Sequence, residues 1–332
     1  MTRPGKLPIG IGTTFDYSIA FAAMCPMIAR AGFRAITIGG GDVAHSGYHT
    51  EPGRQRIRQA VQEAGLAIDS IHAPFGPECD ISLPDEKAPV PPTTAGPLLP
   101  TPARSEAPPE PAQAGTTVPA GDRVGTLGPA TPDAAPTRTV YRPSAGRLEA
   151  IARVKNAIDA ATALDSQIVI IHPTGKFAPA ETRARIHALK DSMSELIPYA
   201  AHRNVRLAVE NLPSLLEMQV FEAILEEVPQ LGVCYDSSHA HLSGNTFGVL
   251  QRHKERIVAL HISDSDGRSD QHLLPFEGAI EWQEFAYYFV KLLHINTFTL
   301  EVEVRESAFK DTKEFLVQAF QRAQQVLSLR PT

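Results

Sequence analysis

The sequence holds three cysteines, one tryptophan and 7% aromatic residues in 332. Cys25, Cys79 and Cys234 lie far apart and form no Cys-x-x-Cys pair. A sparse, odd set of this kind argues against a disulfide framework and suits a reducing compartment. No run approaches the roughly 18 apolar residues needed to cross a bilayer. The opening MTRPGKLPIGIG lacks the apolar stretch and small-residue cleavage site of a secretory leader. A soluble cytoplasmic protein with no membrane partner is therefore expected. Strong positive charge is absent too. The formal net charge is -6, which does not favour nucleic acid as a partner. No Gly-x-Gly-x-x-Gly joins a strand to a helix, which argues against a dinucleotide site.

What is present is one repeated unit. A short apolar strand ends in a polar residue, and an amphipathic helix follows. The strand candidates are 8–15, 33–39, 66–74, 167–172, 205–210, 231–236, 257–261 and 297–301. Helical patterns lie near 18–31, 53–64, 146–165, 180–203, 214–227, 246–255, 280–293 and 307–328. RLEAIARVKNAIDAATAL shows the three- and four-residue apolar spacing of a helix packed on a sheet. Regular alternation implies a parallel sheet, and eight units favour closure into one (β/α)8 TIM barrel. One domain over 1–332 is expected. Within it, 84–145 is a Pro/Ala/Thr-rich low-complexity insertion after the third strand. Fifteen of the 28 prolines fall between Pro84 and Pro143. Proline removes backbone donors, so a disordered or extended segment is predicted.

From the third strand to the eighth, every strand ends near a histidine or a carboxylate. His72 stands in SIHAPF, His172 in VIIHPTG and Glu210 in LAVENLP. Asp236 and His239 stand in YDSSHAH and His261 in VALHISD. Asp264, Asp270 and His272 follow, and Glu301 stands in FTLEVE. Parallel barrel strands bring their C-terminal ends to one mouth. Carboxylates converging there repel one another unless a cation neutralises them. Imidazole and carboxylate together suit Mn2+, Co2+, Zn2+ or Fe2+.

These runs, with DQHLLPFEGAIEW between the last two, resemble the sugar phosphate isomerase/epimerase family. Its members share a xylose isomerase-like TIM barrel and are related to the endonuclease IV group. The resemblance covers nearly the whole chain outside the proline-rich segment. It implies one divalent metal (Mn2+, Co2+, Mg2+ or Zn2+) held by Glu210, Asp236, His261 and Glu301, with Glu303 competing for the last place. It implies isomerisation or epimerisation of a sugar, sugar phosphate or polyol-derived ketone through an enediolate. Glu210 and Glu301 would then be the acid/base pair as well as ligands. His239 would orient a substrate oxygen, with His72, His172 and His272 lining the pocket. Arg268 or Arg305 would hold a substrate anion. The GGGDVAHSGYH loop, with Tyr48 and His49, would cover the site. Thr37 stands where many epimerase relatives carry a glutamate. The endonuclease branch uses more ligands around three Zn2+ ions, and the matching His72, His172, His239, Asp270 and His272 are all present. An apurinic-type zinc phosphodiesterase therefore stays as the alternative, as does an inosose- or dehydroshikimate-type dehydratase. A homo-oligomer is compatible with each.

Overall fold

Eight apolar runs become eight parallel strands: β1 Ile9–Gly12, β2 Ala35–Ile38, β3 Ala67–His72, β4 Ile168–Ile171, β5 Arg206–Glu210, β6 Gly232–Asp236, β7 Ile257–His261 and β8 Phe298–Leu300. The computed structural model describes residues 7–87 and 141–330. The strands hydrogen-bond in the order β8-β1-β2-β3-β4-β5-β6-β7. Closure is made just past β7, where Ile262 bridges Leu300. There Ile262 N–H donates to Thr299 O and Glu301 N–H to Ile262 O, each at 3.0 Å. β1, β2, β6 and β7 are buried at every position. That is why they read as continuous apolar runs and not as alternating ones.

The helices α1 Phe21–Ala31, α3 Glu51–Ala64, α4 Ala145–Ala163, α5 Thr182–Ala201, α6 Leu215–Glu227, α8 Gly248–His253, α9 Trp282–Phe289 and α10 Thr312–Ser328 follow the strands in turn. Their starts are written locally. Thr50, Ser144 and Asp311 cap α3, α4 and α10 with side-chain oxygens, and Ser214 with Glu217 forms a capping box on α6. Such caps satisfy N–H groups that a helix start leaves open. Among the described residues no helix is long and apolar enough to cross a membrane.

Three details depart from the sequence reading. The run predicted as strand to Phe15 turns at Thr13–Phe15 into a 3-10 helix. The helix predicted to begin near 307 starts only at Thr312, where Asp311 supplies the cap. Two short helices, α2 Val43–Ser46 and α7 Ser237–Leu242, were not foreseen. Each is too short to show a period. Asp42 caps the first and Asp236 the second.

The barrel unit comprises Met1–Asp85 and Pro143–Thr332, and a second unit spans Glu86–Arg142. The described part of the second is an antiparallel pairing of Glu86–Lys87 with Tyr141–Arg142. The expected disorder of the proline-rich insertion concerns residues 88–140, which lie outside the described residues.

Candidate metal centre at the barrel mouth

The last residues of β5, β6 and β7 are Glu210, Asp236 and His261, and Glu301 follows β8 directly. Because all four strands are parallel and end at one mouth, these side chains meet. One ligand atom from each lies within 4.8 Å of the other three. His261 Nδ1 is 3.1 Å from Glu210 Oε1 and 2.9 Å from Glu301 Oε2. Glu210, Asp236 and His261 are at most 1% exposed.

Two observations show that this donor set fits a cation. Asp236 Oδ1 accepts the His239 backbone N–H at 2.7 Å. Its Oδ2 is buried with no hydrogen-bond partner. An unpartnered buried carboxylate oxygen is costly, and a metal ligand bond would satisfy it. The second observation is electrostatic. Burial pushes the Asp236 carboxyl up to about 7 despite the charge of His239, and the nearby Glu210 and Glu301 add to the rise. Burial also pushes Glu210 up, but His261 and contacts from His172 and His239 outweigh it and hold it well below its ordinary value. Glu301 is brought down to about 2, with His261 overcoming burial. Burial disfavours charge on His261, yet Cys234, Glu301 and Glu210 hold its pKa well above the usual one. Protons on imidazoles thus do what a divalent ion would do.

A second group lies beside the first. His239 on α7 places Nε2 at 3.1 Å from Asp270 Oδ2, and His272 Nε2 stands 3.4 Å from the same oxygen. These three also offer ligand atoms within 4.8 Å of one another. His239 Nδ1 faces the other way, 3.4 Å from Glu210 Oε1 and 2.9 Å from Asn211 O. A third set, His72, Glu210 and His261, meets the same criterion. His72 and His172 lie 3.0 and 3.4 Å from Glu210 Oε2.

A family model described as xylose isomerase-like TIM barrel matches residues 136–319. The chain belongs to this family. A protein from Sinorhizobium fredii described as uncharacterized is 33% identical over 148 residues, covering 41% of this chain and 47% of that protein. A "Probable endonuclease 4" from Bacillus subtilis is 28% identical over 142 residues, 36% of this chain and 46% of that protein. The chain spans about half the length of the curated relatives it matches. Among solved structures, a D-tagatose 3-epimerase-like protein has a TM-score of 0.64 at 16% identity, covering 97% of both chains. A D-psicose 3-epimerase from Clostridium cellulolyticum H10 has 0.62 at 12% identity, again covering 97% of both. These likenesses are of fold.

In this member of the xylose isomerase-like family, the strand-end residues read from sequence come together. Glu210, Asp236, His261, Glu301, His72, His172, His239, Asp270 and His272 share one mouth, and an inner cavity of about 260 Å3 opens among them. Glu301 belongs to the ligand group, whereas Glu303 lines the cavity and pairs with Arg305. Arg268 is exposed on the loop after β7 and lines neither this cavity nor the larger one beside it. Arg305 is likewise exposed. Tyr48 does not cover the site but is buried, donating to His72 O at 3.0 Å. His49 stays exposed. Thr37 faces Ser70 inside the sheet at 2.8 Å.

Two contributors, Asn211 and Phe75, went unassigned in the sequence, and a third, Asp264, has a different place. Asn211 exchanges two hydrogen bonds of 2.9 Å with the Asp236 backbone, fixing β5 to β6 beside the ligands. Its signal was the Asn of the VEN run. Phe75, of HAPF, stacks on His172 with centroids 4.6 Å apart. Asp264 was grouped with the strand-end carboxylates but is no ligand. It is fully buried and accepts from the backbone N–H groups of Ser265, Phe276 and Ile280 and from Trp282 Nε1, all at 2.9–3.0 Å. Those bonds gather residues 264–282 into a closed loop that carries Asp270 and His272. Gly278 is required there, since a Cβ would meet Asp264 Oδ1 at 2.4 Å.

Proposed function

We propose that the protein is a cytoplasmic, divalent-metal-dependent isomerase or epimerase of a sugar or polyol-derived ketone. The observation that carries this reading is the buried group Glu210, Asp236, His261 and Glu301 with its unpartnered Asp236 oxygen. The hard donor set favours Mn2+, Mg2+ or Co2+, with Zn2+ also compatible. When bound, such an ion supplies Lewis-acid polarisation of a carbonyl and a neighbouring hydroxyl. Glu210 or Glu301 removes the proton from the carbon beside the carbonyl, giving an enediolate, and the same or the other carboxylate returns it. Return from the opposite face epimerises; return on the same side to the neighbouring carbon isomerises. His239, fixed by Asn211 O and Asp270, orients a substrate oxygen. His72, His172 and His272 line the pocket and face the sugar hydroxyls. The three cysteines are free, which agrees with a reducing compartment. The sugar 3-epimerase names among the fold neighbours support the choice of substrate.

The test is turnover of a ketose and inosose panel by the Mn2+-loaded protein, followed as incorporation of solvent deuterium. Exchange that is lost in Glu210→Gln supports the reading. A fully metallated Glu210→Gln that keeps full activity refutes the role of Glu210.

One observation favours a second reading. The groups His239–Asp270–His272 and His72–Glu210–His261, with His172 beside them, could hold further ions. Up to three Zn2+ would then serve phosphodiester cleavage, as the name of the Bacillus subtilis relative suggests. Cleavage of an abasic duplex by zinc-loaded protein would establish it. A dehydratase acting on an inosose would use the same proton abstraction, and loss of water from the panel would reveal it.

A further inference from the structure

Two cavities meet at the mouth. The inner one, of about 260 Å3, is lined by Glu210 and Glu301 of the first group and by His239, Asp270 and His272 of the second. The outer one, of about 540 Å3, shares Phe75, His172, His239 and Asp270 with it, then runs outward between the loops after β3 and β5. Its own lining is largely apolar, with Pro77 and Leu83 on one side and Leu212 and Pro213 on the other. Lys176 stands on its rim, exposed and without a salt bridge among the described residues.

The outer cavity is preformed. Asp80, in the loop after β3, forms a buried ion pair with Arg185 of α5. Ser82 Oγ donates to Asp80 Oδ1 at 2.6 Å and lies 2.8 Å from Thr174 Oγ1 in the loop after β4. Ser192 Oγ donates to Ile81 O at 2.7 Å. Gly175 passes so close that a Cβ would meet Asp80 Oδ2 at 2.9 Å. These contacts tie the loop after β3 to α5 and to the loop after β4, and so fix the Pro77–Leu83 wall of the apolar space. Open apolar space is costly unless something fills it, and fixed walls lower the ordering cost of binding.

The charge distribution is lopsided. Asp42, Glu210, Asp270, Glu301 and Glu303 all face the inner cavity. A phosphate there would meet five carboxylates, with His72, His172, His239 and His272 set among them. The outer cavity is also lined by Glu217, by the shared Asp270 and by Asp80, which pairs with Arg185, and it adds Lys176 at its rim.

We propose that the substrate is not a free monosaccharide or a sugar phosphate but a neutral sugar-type head joined to a second, ring-sized apolar group, as in a glycoside or an aryl ether. The head would occupy the inner cavity. The apolar group would lie against Phe75 between Leu83 and Leu212, with any negative charge at its far end by Lys176. This rests on the isomerase/epimerase reading for the reaction, but binding tests it separately.

The experiment compares ketohexoses, their 6-O-benzyl ethers and their 6-phosphates on the Mn2+-loaded full chain, with binding read by calorimetry and turnover by deuterium incorporation. The benzyl ethers should bind at least tenfold more tightly than the parent ketoses, and the phosphates no more tightly than the parents. Leu83→Trp, or Pro77→Trp if that variant does not fold, should bring the ether-to-parent ratio of affinities close to one. Equal binding of ether and parent, a preference for the phosphate, or a ratio unchanged in the variants would overturn the proposal. Tight ether binding without turnover of any panel member would leave it standing and overturn the isomerase/epimerase reading.

Discussion

Two of the three cation-competent groups at the mouth are built on different supports. Glu210, Asp236, His261 and Glu301 sit on or directly after strands, and hydrogen bonds across the sheet fix their backbones. His239, Asp270 and His272 sit on a six-residue helix and a long loop, and Asp270 is more than a third exposed. The second group is held in place indirectly, by Asp264 and by His239 reaching across to Asn211 O. His272 even adopts a positive φ of 48°, a conformation that non-glycine residues seldom take unless the surroundings enforce it. The lesson is that a barrel supplies one rigid site from its strands, whereas a neighbouring site is only as rigid as the loop that carries it.

That contrast can be broken most forcefully at Glu210, which touches both supports. Glu210→Gln should lower turnover by at least about a hundredfold and weaken Mn2+ binding, while circular dichroism stays unchanged. Next comes the clasp. Asp264→Ala leaves several buried donors unpaired, at about 1–3 kcal/mol each. It should therefore lower stability by at least about 3 kcal/mol in urea unfolding. Milder, and sharper, is Asp270→Asn. It should leave Mn2+ bound at the strand-built group while raising KM, because His239 loses its outer partner. Loss of the Mn2+ in that variant would show that the two groups are one.

pH separates metal binding from folding. His261 carries a proton well above the ordinary imidazole range, and Asp236 is protonated below about 7. A metal must displace those protons, so its affinity should rise as the pH passes about 7 and go on rising above the ordinary imidazole range. A flat profile would mean that other groups hold the ion. The smallest effect is expected at Arg268. It is exposed and outside both cavities, so Arg268→Ala should change kcat/KM less than about twofold and stability by no more than about 0.5 kcal/mol.

The strand-built half of the site was legible because its grammar is local. An apolar run that ends in Glu, Asp or His announces both the strand and the residue at its mouth. Position alone put Glu210, Asp236 and His261 at the mouth, and the family resemblance chose them over His72 and His172 as candidate ligands. Glu301 against Glu303 was harder, since side chains two apart on a strand point the same way. Glu301 directly follows β8 and falls in a group that could hold an ion, whereas Glu303 pairs with Arg305. The loop-built half was legible in residue type but not in placement. The D-x-H spacing of Asp270 and His272 marked them, by the resemblance to the endonuclease branch, as candidate ligands, yet nothing local revealed that Asp264 would gather N–H groups from twelve to eighteen residues away. Tyr48 was misread for a similar reason. Its burial depends on the β3 backbone, which lies far off in sequence. We further propose that 1–332 is one barrel domain and 84–145 an insertion in it. Deleting 88–141 should then preserve a single cooperative unfolding transition.

The most direct test of the central claim is metal content per chain, by elemental analysis of protein purified without added metal, in the wild type and in Asp236→Asn. The account predicts about one Mn, Mg, Co or Zn per chain, lost in the variant. Two or three zinc ions per chain, or one that Asp236→Asn retains, would contradict it and turn attention to phosphodiester cleavage.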